Sequence, residues 1–258
     1  MKLRSIAPIF AAVLYIGTLY ALTGTDALAQ TKSKTGKKSS KSTATTAAPP
    51  VPQPYDSSSV KQMLQLNEVH KTTPMYESLE EALKEPEKVF RLNLSKRNLT
   101  AVPIEIAQLK NLRVLSLFGN QITTLPPEFA QLEKLESLDL GKNQFTDVPP
   151  QILKLKNLKV LYVSTNQIKA LPKDLYKMKS LLMLDAAGNQ IASLSPELGN
   201  LTNLLEINLR VNRLEAFPTT ITKLKKLQVV RLNENPLAPK EVKKLEQLMK
   251  DTDVRIAY

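Results

Sequence analysis

Leu112-Arg113-Val114-Leu115-Ser116-Leu117-Phe118-Gly119-Asn120-Gln121-Ile122, continued by Leu125-Pro126, Phe129 and Leu132, decides the fold, because the chain writes this pattern again and again. Its asparagine returns every 23 residues, at Asn120, Asn143, Asn166, Asn189, Asn212 and Asn235. A fixed period between about 20 and 50 residues marks a solenoid, since one such unit cannot bury its apolar face alone whereas stacked units can. Counted from its first apolar residue, position 1 of the repeat is Val89, Leu112, Leu135, Leu158, Leu181, Leu204 and Leu227, and position 4 is equally aliphatic from Leu92 to Val230. Alternation over positions 3 to 7 is the period of a strand with one buried face. One strand per coil, all running the same way, stacks into a parallel sheet at about 4.8 Å per coil.

The rest of the repeat closes the coil. Asparagine at position 9 can donate and accept at once, which suits the backbone groups of a tight turn between neighbouring coils. The first repeat departs, with Arg97 at the ladder position and Asn98 one residue out of register. Pro103, Pro126, Pro149, Pro172 and Pro218 start a return segment that has no ladder amide to lose. Apolar residues three apart after them predict short 3₁₀ or loosely helical turns. The fifth repeat is irregular, with Ala186-Ala187-Gly188 in and after the strand and the proline shifted to Ser195-Pro196, so lower local stability is expected there. The expected architecture is therefore an α/β solenoid, an arc or horseshoe with a parallel β-sheet on its concave face and 3₁₀ or helical turns on its convex face.

The ends of the chain divide it further. Residues 1–29 carry Lys2 and Arg4, an apolar stretch from Ile6 to Leu22, and Ala27-Leu28-Ala29, which reads as a secretory signal peptide cut after Ala29. An uncleaved anchor is the other reading, although about 17 residues broken by Pro8 and Gly17 are short for a span. Residues 30–59, rich in Lys, Ser, Thr, Ala and Pro, cannot bury enough surface to offset ordering, so a disordered linker is expected. Residues 60–88 are assigned to an N-terminal helical cap, with Ser78-Leu79-Glu80-Glu81 as a capping box and Pro86 as its stop. Seven repeats fill 89–237, and 238–258 form a C-terminal cap: a helix opened by Pro239 with Val242, Leu245 and Met249 on one face, then a last strand through Val254, Ile256 and Tyr258.

Composition narrows the function classes. No cysteine is present, which excludes thiol catalysis, cysteine-bound metals and a disulfide cap. The formal charge of +12 is partly the linker's, where Lys32, Lys34, Lys37, Lys38 and Lys41 face only Asp56. That segment could touch an anionic surface such as lipid headgroups or cell-wall polymer, or simply be a solvated tail. The remaining lysines are scattered over the outer halves of the repeats rather than focused into a stripe with stacking aromatics, so no nucleic-acid partner is expected. His70 is the lone histidine and lies outside the repeats. Asp139 and Asp185, two coils apart, sit at roughly 10 Å by strand spacing, but an open sheet gives a glycosidase pair no closed pocket. No catalytic residue, cofactor or metal is expected.

The pattern Leu-x-x-Leu-x-Leu-x-x-Asn-x-Leu-x-x-Leu-Pro resembles the leucine-rich repeat family, and in particular the 23-residue bacterial subfamily found in exported spirochaete proteins. The resemblance covers about residues 76–258 and includes Asn235-Pro236-Leu237 before the final helix. It implies a horseshoe with its strands inside and a role in recognising proteins, in some relatives host-cell surface proteins. Binding is then expected on the strand positions that point away from the core. Val114, Val160 and Met183 at position 3, Tyr162 at position 5 and Phe118 at position 7 form an apolar and aromatic centre. Asp139 and Asp185 flank it, with Glu206, Arg210 and Arg231 towards the C-terminal side. Valine at position 3 has a second reading as a plain strand former. The favoured function is an exported, non-enzymatic, monomeric scaffold gripping a protein. The alternative is a periplasmic or envelope-associated structural protein held to anionic polymer by residues 30–59.

Overall fold

The computed structural model describes residues 72–252 and 254–258. The expectations for 1–29, 30–59 and the first part of the N-terminal cap, and His70, lie outside the described residues. From residue 76 onward one element follows another at the repeat spacing. Strands β1 (Arg91–Asn93), β2 (Val114–Ser116), β3 (Ser137–Asp139), β4 (Val160–Tyr162), β5 (Met183–Asp185), β6 (Glu206–Asn208) and β7 (Val229–Arg231) form one unclosed parallel sheet in chain order, with β8 (Arg255–Ala257) at its end. The register is that of the sequence period: Leu92 lies beside Leu115, Leu115 beside Leu138 and Leu138 beside Leu161.

Between strands the chain returns through five-residue 3₁₀ turns, such as Pro127–Gln131 and Pro150–Lys154. The fifth coil keeps this form at Pro196–Asn200, where the Ser195 hydroxyl accepts from the Glu197 N–H at 3.2 Å in place of the missing proline. Position 8 of every coil bends through left-handed backbone, from Lys96 and Gly119 to Val211 and Glu234. That bend turns the chain out of the strand and into the asparagine.

Each asparagine ties its own coil to the one before. Asn166 Oδ1 accepts from the Phe145 N–H at 3.0 Å, while its Nδ2 donates to Leu140 O and Val163 O, each at 3.0 Å. The next rung uses the same carbonyl again, Asn189 Nδ2 donating to Val163 O at 3.0 Å. Position-6 carbonyls are thus shared by the amides of two successive coils. In the first coil, where Arg97 replaces the asparagine, Asn120 Oδ1 accepts from both Arg97 N and Leu99 N at 3.0 Å. The Arg97 guanidinium instead donates to Glu77 O at 2.9 Å and holds the cap.

The apolar teeth form one continuous core from Ala82 to Met249. Helix α1 (Leu79–Ala82) covers the first coil, with Ser78 accepting from the Glu81 N–H at 3.4 Å. Before it, Tyr76 bridges to the outer side of β1, accepting from Asn93 N at 2.8 Å. At the other end helix α2 (Pro239–Met249) buries Leu245 and Met249 on the face chosen by their spacing. No helix among the described residues is long and apolar enough to cross a membrane.

Candidate functional site

The side chains that leave the strands away from the core fall into columns. Position 5 runs Ser116, Asp139, Tyr162, Asp185, Asn208 and Arg231 across β2 to β7, so Tyr162 stands between two aspartates on adjacent strands. Phe118 lies just beyond β2, over Gly141: a β-carbon placed on that glycine would meet Phe118 Cδ2 at 3.0 Å, Asp139 Oδ1 at 3.1 Å and Ser164 Oγ at 3.3 Å. Glycine is therefore needed at 141, where an aromatic edge, a carboxylate and a hydroxyl crowd too closely to admit a β-carbon without giving way.

Exposure across this face is uneven. Phe118, Tyr162, Asp185, Glu206 and Arg231 are half-buried and Arg210 is exposed. Met183, expected on the surface, is instead buried, as are Val114, Val160 and Asp139. For Val160 and Met183 the cause is a column that sequence reasoning overlooked. Leu182 and Leu205, at position 2, pack over Val160 and Met183, with Tyr162 against the group, and make a second small apolar cluster outside the main core. Val160 and Met183 thus form the floor beneath Tyr162. The Tyr162 hydroxyl donates to Met183 Sδ at 3.5 Å.

Position 2 carries charge in the earlier coils. Glu136 is buried and accepts from Arg113 Nε at 2.7 Å and from Lys159 Nζ at 2.7 Å, with Arg113 Nη2 as a further partner. Arginine, glutamate and lysine spaced by 23 residues were the signal in the sequence, hidden because position 2 has no consensus. Glu136→Ala should lower the unfolding free energy by about 2 kcal/mol in urea titration. That is less than the loss for a fully buried pair, because Arg113 and Lys159 keep some solvent once abandoned.

The two aspartates are held differently. Asp185 accepts from Ala187 N at 3.0 Å and from Asn208 Nδ2 at 3.1 Å, and Arg231 and Arg210 favour its charge. Burial still outweighs these and raises its pKa. Among the described residues Asp139 accepts only from Gly141 N, at 2.7 Å through Oδ1. Burial, then the charge of Asp185, push its carboxyl up to about 7 against that single hydrogen bond. Arg231 is committed to Glu206, and Arg210 lies 3.4 Å from Glu234. Burial also raises the Tyr162 phenol, so it is neutral at physiological pH.

The family model described as Leucine rich repeat matches residues 87–145 and again 133–191, the windows that hold β1 to β5 and the asparagine rungs from Asn120 to Asn189. The chain belongs to the leucine-rich repeat family. Among solved structures, this leucine-rich repeat chain is similar to an internalin of Listeria monocytogenes, at 25% identity and TM-score 0.58, over 70% of this chain and 50% of that one. A plant peptide hormone receptor, solved in complex with RGF2, has the same fold at 23% identity and TM-score 0.50, over 72% of this chain and 33% of that one. A leucine-rich repeat protein of Leptospira interrogans shares 32% identity over 68% of this chain and 57% of its own, with TM-score 0.43. This chain therefore spans between a third and somewhat over half of those leucine-rich repeat structures. No curated protein sequence matches it.

Proposed function

We propose that this chain is an exported, non-enzymatic leucine-rich repeat scaffold that binds a protein through its concave face. The observation that carries the reading is the pair Phe118 and Tyr162. Both are large aromatic side chains left half-exposed on a face whose neighbouring valines and methionine are covered. Aromatic anchors on an apolar floor, with charged residues at the border, are the anatomy of a protein interface. Asp139 and Asp185 flank Tyr162, and Glu206, Arg210 and Arg231 add charge of both signs towards the C-terminal side of the sheet. Support also comes from the internalin and the hormone receptor, the latter solved with RGF2 bound. Export rests on the composition of residues 1–29, and the partner is placed outside the cell on that ground.

The test is capture of the partner, by cross-linking on intact cells, with the full chain and with Phe118→Ala/Tyr162→Ala. Truncating two anchors should weaken capture at least about tenfold, while circular dichroism keeps the parent spectrum. Unchanged capture by the double variant would remove the face from consideration.

A further inference from the structure

We propose that the patch formed by Phe118, Asp139, Tyr162 and Asp185 receives the guanidinium of a single arginine side chain presented by the partner protein. The inference rests on the concave-face reading and names what that face selects. Asp139 is 6% exposed, yet its Oδ2 has no hydrogen bond among the described residues. Every other charge on the face is better provided for. Glu136 holds two cations, Glu206 pairs with Arg231, and Asp185 has two hydrogen-bond donors. A buried carboxylate in this position is stabilised most by a cation brought from outside, which restores the favourable field that burial removed.

The walls select the kind of cation. Tyr162 stands beside the carboxylate on the adjacent strand, and an aromatic face attracts a flat, weakly hydrated guanidinium more than a compact ammonium. Phe118 Cδ2 and Ser164 Oγ close around Asp139 Oδ1 beside Gly141, where even a β-carbon would stand only 3.0–3.3 Å from all three, so an incoming guanidinium meets the carboxylate at Oδ2. Ser164 can accept a further N–H, and Asp185 stands on the far side of Tyr162 to favour positive charge along the whole column. The titratable groups facing Asp139 are Tyr162 on β4 and Asp185 on β5. Neither supplies a positive charge.

The experiment uses the full chain and three acetylated, amidated pentapeptides with a central residue between two leucines: arginine, its neutral isostere citrulline, and lysine. Binding is followed by NMR, with the Asp139 side-chain carbon read across a pH titration. The arginine peptide should bind at millimolar concentration or tighter, and lower the Asp139 midpoint by about one pH unit, a coupling of roughly tenfold. The citrulline peptide should leave that midpoint in place, and lysine should bind more weakly than arginine. Asp139→Asn should lose about tenfold in arginine-peptide affinity. Equal binding of arginine and citrulline peptides, an unmoved Asp139 midpoint, or lysine binding as tightly as arginine overturns the assignment. So does silence of all three peptides while Phe118→Ala/Tyr162→Ala still abolishes partner capture, an outcome that leaves the concave face standing and removes only its arginine site.

Discussion

Asn166→Ala is expected to lower the free energy of unfolding by about 3 kcal/mol, since buried polar groups left unmatched cost roughly 1–3 kcal/mol each. Phe145 N–H has Asn166 Oδ1 as its acceptor and would have none, while Leu140 O and Val163 O would each lose one of two donors. The damage falls between the third and fourth coils, in the middle of the stack. Because coils couple mainly to their neighbours, the urea transition should broaden as well as shift. Asn166→Asp is the sharper variant. It keeps an oxygen for Phe145 but turns a second oxygen towards two carbonyls, so it should destabilise more than alanine at pH 7. A loss for Asn166→Asp much smaller than that for Asn166→Ala would show instead that the acceptor for Phe145 is what matters.

Asp139→Asn is expected to stabilise the protein above neutral pH. The folded carboxyl titrates at about 7 against an ordinary value of 3.8, so the folded state holds its proton more tightly than the unfolded chain. A carboxyl raised in this way favours folding at low pH, and that advantage disappears as pH climbs from about 4 to about 7. At pH 8 the ionised group should cost on the order of 4 kcal/mol, at 1.36 kcal/mol per unit. Asparagine retains an oxygen for the Gly141 N–H and carries no charge. Urea unfolding at pH 5 and pH 8 should show the parent losing stability between them and the variant losing much less, with Asp185 accounting for the remainder. Parallel pH dependences for parent and variant would mean that Asp139 is solvated.

The repeat positions made the fold legible. Leucines at positions 1, 4 and 6, asparagine at 9 and proline at the return are set by stacking at a fixed period, and each lands where that period requires. The surface was legible only in part. Phe118 and Tyr162 could be placed on the concave side by parity alone, but burial on that side depends on the column beside it. Val160 and Met183 are covered because Leu182 and Leu205 lean over them, and position 2 varies from arginine to leucine along the chain. A pattern search weights what recurs, so a column whose chemistry changes from coil to coil escapes it. Tyr76 was missed for another reason: it meets the edge of β1 through its backbone, and its side chain, packed against the core, belongs to no repeat position.

The shared carbonyls of the asparagine rungs make the coil a unit of inheritance. An amide that bonds its own coil and the previous one through identical atoms cannot tell which coil precedes it. A stretch of 23 residues can therefore be duplicated or excised during evolution with every rung remade at the seam. Genes of this kind can lengthen or shorten their grasp by recombination while the amino acids that meet the partner drift independently.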